Sequence, residues 1–324
     1  MAYTTIDDGT AYFQTTHYVG NEATDRVMTF PGNANMHPDL LIFKNRTWHQ
    51  SWCVTDANTG YHSQIFMDGA GGYSSYNDVV TDISDDGWTM TDGNAAGGIN
   101  NKDGYSHLAM GWHCQGQEFG ETHEKTAVTV TGGNIHTSTS HTWRNTNADV
   151  GLTLIQYKTN GNNAVATLTH GLGKAPEFMF FKRRNYTYPH TVSYWRIYHH
   201  KMHADAEQKQ LNWEAEAMVD ETTWNDTAPT STVFTLGDNM FVNNSGDYQD
   251  WDAATNDVTF NGWIWTSIKG FSKFGSYTGN GNADGTFVYT GFKPAMVMLK
   301  NTEDTSKWFI LDNYRNLYNP INRS

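Results

Sequence analysis

One motif occurs three times in this chain and limits the folds that are open to it. Each copy runs from a tyrosine near Gly and Asn residues to a proline, then through an apolar run that ends in lysine, and on to a tryptophan. Copies more than 100 residues apart favour repeated domains over a solenoid, whose repeats span roughly 20–50 residues. The residues of the three copies are Tyr18, Pro38, Lys44 and Trp52; Tyr157, Pro176, Lys182 and Trp195; and Tyr277, Pro294, Lys300 and Trp308.

The repeat predicts how the chain is divided. An apolar segment at 108–112 closes the first copy and a similar one at 260–265 closes the second, whereas the third copy has none. We therefore expect two complete domains and an incomplete third. The predicted divisions are a lead at 1–17, either a tether or a frayed terminus, repeat 1 at 18–114, a linker at 115–150, repeat 2 at 151–270 and an incomplete repeat 3 at 271–324.

Composition favours β structure. Aromatic residues make up 14% of the chain and there are 30 glycines; aromatic side chains pack well on a pleated sheet, and glycine permits tight turns. The uninterrupted apolar run after each proline predicts a strand buried on both faces, and the lysine marks the point where that strand becomes exposed. We predict an all-β fold of tandem β-sandwiches.

In one segment, local helix propensity and the repeat predict different structures. Residues 204–219 are rich in helix-forming residues. Residues 209–214 nevertheless align with 63–68 of the first copy, for which we predict a strand. Because tertiary context overrides propensity, we predict a strand at 209–214 as well.

Charge and hydropathy exclude several classes of function. A net charge of −13 without a basic stripe argues against a nucleic-acid partner, since phosphate binding needs clustered Lys and Arg. The apolar runs of about five residues are far shorter than the ~18 of a membrane span, and the opening MAYTTIDDGTAYF resembles no secretory signal. We expect no membrane insertion. Cys53 and Cys114 are predicted to be reduced structural thiols.

Four stretches carry a resemblance to a known family: the opening MAYTTIDD…AYFQT, residues 224–230, residues 270–295 and the ending at 314–320. Through them the chain resembles a tandem-repeat domain of unknown function in virion proteins of marine bacteriophages. The resemblance implies concanavalin-like or SPRY-like jelly-roll β-sandwiches in tail fibres, appendages or capsid-surface proteins, and hence a virion localisation. Copy one departs most from the pattern, because Met36 and His37 precede its proline where the other copies have Gly-Lys-Ala or Phe-Lys.

A catalytic constellation is not evident in the sequence. Glu118, Glu121 and Glu124 form the densest carboxylate cluster, and paired carboxylates can hydrolyse a glycoside. They fall in the predicted linker and lack the strand pattern of concanavalin-like glycosidases, so they indicate a solvated loop. We expect no enzyme activity and no cofactor.

Two kinds of candidate metal ligand are present. His199, His200 and His203 could share a zinc ion, but no fourth ligand accompanies them, so they indicate surface or interface histidines, with a low-affinity divalent site as the alternative. The Asp-rich segments 82–86 and 247–257 could supply oxygen ligands to calcium, but turn chemistry explains both. We predict no metal site from these residues.

Two long loops of copy two are the candidate binding surface. The segment between lysine and tryptophan is longer there than in the other copies and carries Tyr186 and Tyr188, and a second loop carries Tyr248 and Trp251. Aromatic residues on loops beside carboxylates suit stacking on sugar rings, which predicts a glycan-binding site. The alternative is that these aromatics pack against a neighbouring domain or subunit.

Together these features predict a structural virion protein, namely a tail-fibre or appendage component that displays a host-recognition surface. The expected partners are other virion proteins and a host surface glycan. Further copies of the chain, for example in a trimer, would provide multivalency. A capsid decoration protein and a glycan depolymerase are the alternatives. The incomplete third repeat has two interpretations. Either another chain completes it, or the chain is a shortened one.

Overall fold

Antiparallel β-sheets form almost all of the regular structure in the described chain, with one α-helix of four residues at Glu221–Trp224 and a 3-10 turn at Gly9–Ala11. None of the described helices has the length and apolar character needed to cross a membrane. The computed structural model describes residues 4–61, 65–67, 80–91, 100–114, 125–159, 164–184, 194–202, 209–211, 217–219, 221–239, 241–243, 258–306 and 308–314.

The strands fall into three groups along the chain, which we call the first, second and third units. The first unit contains β1 (Phe13–Val19), β2 (Arg26–Thr29), β3 (Leu40–Asn45), β4 (Cys53–Asp56), β5 (Ile65–Phe66), β6 (Asp82–Ser84), β7 (Gly87–Met90) and β8 (Ser106–Trp112). The second contains β9 (Thr126–Ala127), β10 (Val130–Gly132), β11 (Trp143–Asn147), β12 (Leu152–Thr159), β13 (Ala166–Thr169), β14 (Phe178–Arg183), β15 (Arg196–His199), β16 (Lys209–Leu211), β17 (Ala217–Val219), β18 (Val233–Leu236) and β19 (Val258–Trp265). The third contains β20 (Met296–Leu299) and β21 (Phe309–Asp312).

The first two units share a strand order. The large sheet of the first unit runs β1-β8-β3-β4-β5, and that of the second contains β12-β19-β14-β15 in the same arrangement, extended by β11 and β9. Each unit adds a three-stranded small sheet, β2-β7-β6 in the first and β10-β13-β18 in the second. In both units the last strand lies between the strand that carries the repeated tyrosine, β1 or β12, and the strand after the proline. We call β8 and β19 the closing strands.

Each of the first two units is a sandwich with its own core, and a third core joins them. Successive side chains of β3 point to opposite faces, so Leu41 and Phe43 pack inside the first unit while Leu40 and Ile42 face outward. Leu40 and Ile42 meet Phe178 and other residues of the second unit's large sheet in one cluster, which we call the central core. The prediction of strands buried on both faces is confirmed for β3 and β14.

Polar contacts also tie the two sandwiches together. The indole Nε1 of Trp263 donates a hydrogen bond to Oδ2 of the buried Asp56 over 2.7 Å. Trp195 Nε1 donates to the carbonyl oxygen of Phe66 over 3.1 Å. Because a buried apolar side chain contributes roughly 1.5–3 kcal/mol, separating the units would expose the central core at a large cost.

The predicted linker and lead need correction. Residues 126–147, assigned to the linker, form β9, β10 and β11, which pair with strands of the second unit. The first strand begins at Phe13, inside the predicted lead, and Ile6 is buried in the central core. The described parts of both segments therefore contribute strands to the sheets and buried side chains to the cores, among them Val128, Ile135 and Trp143 of the predicted linker.

Two local predictions have opposite outcomes. The strand predicted at 209–214 is confirmed over Lys209–Leu211, where β16 pairs with β17, so tertiary pairing overrides helix propensity. The exposure predicted for the repeated lysine is wrong in the second copy, because Lys182 is completely buried with its Nζ 5.5 Å from the ring centroid of Trp195. Burial lowers the pKa of Lys182 to about 7. Cys53 and Cys114 are both buried thiols that form no disulfide, as predicted.

Candidate functional site

The four aromatic residues predicted to bind a ligand lie outside the described residues. They are Tyr186, Tyr188, Tyr248 and Trp251. Their role as a glycan-binding surface stays a prediction.

The described residues that flank these two loops meet at one place in the second unit. Tyr194 follows the first loop, and its ring centroid lies 5.6 Å from that of Phe241, which precedes the second loop. The guanidinium carbon of Arg196 lies 4.0 Å from the Phe241 centroid. The other ends of the loops are also joined. The backbone amide of Arg184, which precedes the first loop, donates to the carbonyl oxygen of Thr259, which follows the second loop, over 2.7 Å. Both loops therefore begin and end side by side, which sequence spacing alone does not reveal.

The histidine group is only partly described. The rings of His199 and His200 lie 5.3 Å apart, and His203 is outside the described residues. Burial lowers the pKa of His199 to about 4, and the neighbouring His200 acts in the same direction. His200 Nε2 lies 3.8 Å from the Glu177 carboxylate and 3.3 Å from the carbonyl oxygen of Phe274. These contacts place His200 at a junction between the second and third units.

The acidic residues considered as calcium ligands or catalytic carboxylates are described only in part. Asp82, in β6, accepts a hydrogen bond from the amide of Ile83, whereas Asp86, in the turn between β6 and β7, accepts one from the amide of Met36, which is 50 residues away in the chain. The segment 247–257 lies outside the described residues, as do the three glutamates at 118, 121 and 124.

The third unit begins as the other two do. Strands β3, β14 and β20 each start two residues after the repeated proline and pair antiparallel with the next strand, β4, β15 or β21. The same backbone hydrogen bond ends each hairpin, from Ala57 to Asp39, from His200 to Glu177 and from Asn313 to Ala295, over 2.8 to 2.9 Å. The third unit therefore contains the same hairpin as the first two.

A closing strand is what the described third unit lacks. In the first two units the residue after the proline donates its amide hydrogen to the closing strand, from Asp39 to Trp112 and from Glu177 to Trp265, over 2.8 Å in each case. Ala295 occupies this position in the third unit, and its amide has no acceptor among the described residues. No described strand pairs with the second edge of β20.

The apolar side chains of β20 are also less covered than those of its counterpart in the second unit. Met296 and Met298 point to the central core, as Phe178 and Phe180 do in the second unit. The two phenylalanines are 7% and 4% exposed, whereas both methionines are only half-buried. In the second unit Trp265 and Trp263 lie opposite the phenylalanines and cover them. The prediction of burial on both faces therefore does not hold for β20.

The repeated tyrosine shows the same difference. Tyr18 and Tyr157 are buried, and their hydroxyls donate to the carbonyl oxygens of Asn100 and Val242 over 2.7 and 2.5 Å. Tyr277 is 53% exposed. In the first two units the carbonyl acceptors come from late segments of the unit, which have no described counterpart in the third.

The segment after Tyr277 adds to this exposed apolar surface. Phe287 is 86% exposed, and its neighbours Val288 and Tyr289 are exposed as well. Consecutive large apolar residues in contact with water mark an interaction surface more often than isolated ones do. We call Tyr277, residues 287–289 and the second edge of β20 the third-unit surface.

Comparison with known protein families gives a match that covers most of the chain. The model of a family described as a domain of unknown function (DUF7483) matches residues 8–324. No curated protein matches the chain, and no solved structure does.

Proposed function

Because the chain belongs to this family of unknown function, its role has to be inferred from its own residues, and we propose that it is a structural protein of a bacteriophage particle. We assign it to a tail fibre or appendage that displays a host-recognition surface. The virion resemblance of the 270–295 segment supports this role. The observation that carries it is the third-unit surface, because an edge of β20 that no described strand covers, next to exposed apolar side chains, is suited to assembly with another protein.

The assembly step that we propose is strand addition. A neighbouring virion protein supplies a strand that pairs with the second edge of β20, accepts the Ala295 amide hydrogen and covers Met296 and Met298. Strand addition of this kind combines backbone hydrogen bonds with pockets for alternate side chains. The donated strand should carry two large apolar residues at alternate positions, as the closing strand does at Trp263 and Trp265.

A glycan on the host surface is the proposed ligand of the second unit. The two loops with Tyr186, Tyr188, Tyr248 and Trp251 are flanked by the Tyr194 and Phe241 pair, so a continuous aromatic surface can form there. Aromatic rings stack on sugars. Several copies of the chain in one fibre, for example a trimer, would raise the strength of attachment without new contacts. The jelly-roll subtype of the sandwiches belongs to the same proposal.

The strand-addition step can be tested with the protein's own closing strand. A labelled peptide of residues 258–265 should bind the full-length protein, and fluorescence anisotropy measures its binding. A peptide with aspartate in place of the two tryptophans should bind much more weakly. Met298→Asp in β20 should abolish binding, whereas Val27→Asp, on the exposed edge strand β2, should leave it unchanged. Equal binding by both variants, or none by the wild type, would refute the acceptor role of β20.

The place of the protein in the particle can be tested by immunogold labelling of purified phage with antibody against residues 151–270. Gold on the tail or on projecting fibres supports the proposed role. Gold spread over the head would favour the alternative of a capsid decoration protein, and unlabelled particles would refute the virion assignment. Release of reducing ends from host polysaccharide would instead indicate the depolymerase alternative.

A further inference from the structure

The departure of copy one from the repeat places two histidines around one carboxylate. His37 stands directly before the repeated proline and Asp39 directly after it, while His113 follows the closing strand β8. The hydrogen bond from the Asp39 amide to Trp112 holds the start of β3 beside the end of β8. Residues far apart in sequence are thus brought together by the sheet pairing that closes the first unit.

The geometry of this group suits a metal ion. One potential ligand atom from each of the three side chains lies within 4.8 Å of the other two. His37 Nδ1 is 3.9 Å from Asp39 Oδ1, and His113 Nδ1 is 3.4 Å from Asp39 Oδ2 and 2.9 Å from the carbonyl oxygen of His37. Asp39 is completely buried, His37 is 7% exposed and His113 is half-buried. Solvent therefore reaches the group from the His113 side.

One polar feature of the group is costly as it stands. Neither ring nitrogen of His37 has a hydrogen-bond partner among the described residues, although the ring is buried. Buried polar atoms are normally paired, and an unpaired one calls for a physical explanation. The Asp39 carboxylate lies beside this ring in a fully buried position, where the amide of Cys114 donates to Oδ2 over 2.5 Å. A bound cation would give the buried ring of His37 the partner that it lacks among the described residues.

We propose that His37, Asp39 and His113 bind one divalent transition-metal ion of the zinc type. Two imidazoles and one carboxylate are ligands that zinc accepts, whereas calcium and magnesium require oxygen ligands. Water would complete the coordination on the half-buried His113 side. The ion would link the start of β3 to the end of β8 and so fasten the closing strand of the first unit.

The second unit supports the assignment by contrast. Its residue after the proline is Glu177, whose carboxylate accepts a hydrogen bond from the hydroxyl of Ser267. The position of His37 is taken there by Ala175 and that of His113 by Thr266. The same closing-strand junction is thus built without a second histidine pair, which makes the cluster a feature of the first unit and not of the repeat.

Metal content and visible spectroscopy test the proposal. After treatment with a chelator and dialysis against zinc chloride, the full-length wild type should retain one zinc per chain, measured by mass spectrometry of the metal. Cobalt(II) in place of zinc should give the visible absorption of an ion bound to protein ligands. His37→Asn and His113→Asn should each lose the bound zinc and the cobalt spectrum. His17→Asn, on an exposed histidine of β1, should retain both.

The outcomes separate a metal site from a structural hydrogen-bonding group. Zinc should also raise the melting temperature of the wild type and leave that of His37→Asn unchanged, with circular dichroism showing that the variant is folded. The proposal is overturned if the chelated wild type takes up neither zinc nor cobalt. It is equally overturned if His37→Asn and His113→Asn keep the wild-type zinc content, since the ion would then be bound by other histidines.

Discussion

Replacing Lys182 with methionine is expected to stabilise the protein at neutral and acidic pH. The lysine lies in β14, is completely buried and has its Nζ 5.5 Å from the ring centroid of Trp195. Burial lowers the pKa of Lys182 to about 7, and the nearby Arg196 acts in the same direction. Methionine occupies a similar volume without a charge, so it removes the cost of burying an ammonium group.

The sign and the size of the effect follow from the two pKa values of Lys182. In the unfolded chain the pKa is near the ordinary 10.5, and in the folded protein it is about 7. Between these pH values the unfolded state binds a proton that the folded state does not, so wild-type stability rises with pH across the window and is lost as pH falls toward 7. At about 1.4 kcal/mol per pH unit, the ionisation of Lys182 lowers the free energy of unfolding of the wild type by at most roughly 5 kcal/mol across this window.

Urea denaturation of the wild type and Lys182→Met at about pH 6, 8 and 10 measures this effect. The variant should be more stable than the wild type at the lowest pH, and the difference should shrink toward the highest. Lys44→Met, at the half-buried lysine of the same repeat position, is the matched control and should show a smaller trend. A difference between wild type and Lys182→Met that does not vary with pH would refute the argument, because contacts and not charge would then determine it.

Three further predictions test the packing, each by urea denaturation. Trp263→Phe should lower the free energy of unfolding by ~1–3 kcal/mol, because the buried Asp56 carboxylate loses an indole donor 2.7 Å away. Tyr157→Phe removes a buried hydrogen bond and should cost about 0.5–1.5 kcal/mol, whereas Tyr277→Phe, at an exposed position, should change stability by less than about 0.5 kcal/mol. Gly111→Ala should cost about 1–3 kcal/mol, since a methyl group there would meet the ring of a buried phenylalanine; an unchanged stability would contradict the close packing seen at that glycine.

The strands were predictable where the sequence signal is local. The proline followed by an apolar run predicts β3, β14 and β20, and the alignment of copies predicts β16 against its helix propensity. The first of these signals depends on residues next to one another in the chain, and the second on comparing two copies of the repeat. The all-β class follows from them and from the abundance of aromatic residues and glycine.

The arrangement of the sheets was not predictable in the same way. A continuous apolar run shows that Leu40, Leu41 and Ile42 are all buried, but it does not show that Leu40 and Ile42 face another unit while Leu41 faces its own. The prediction of separate domains with a linker therefore missed the central core. The cluster of His37, Asp39 and His113 was missed for a related reason, since His37 and His113 meet only through the pairing of β3 with β8.

The residue after the repeated proline shows why the two proposals are independent of each other. In the first two units the backbone of Asp39 and Glu177 makes the same hydrogen bond to a closing strand, whatever their side chains contact. The need for a closing strand is thus set by the backbone, and Ala295 carries that need into the third unit although its side chain is a methyl group. The side chains, in contrast, determine how the closing strand is held in place, so the proposed metal ligands can occur in the first unit alone. Loss of zinc from His37→Asn should therefore leave peptide binding at β20 unchanged, and Met298→Asp should leave the zinc content unchanged.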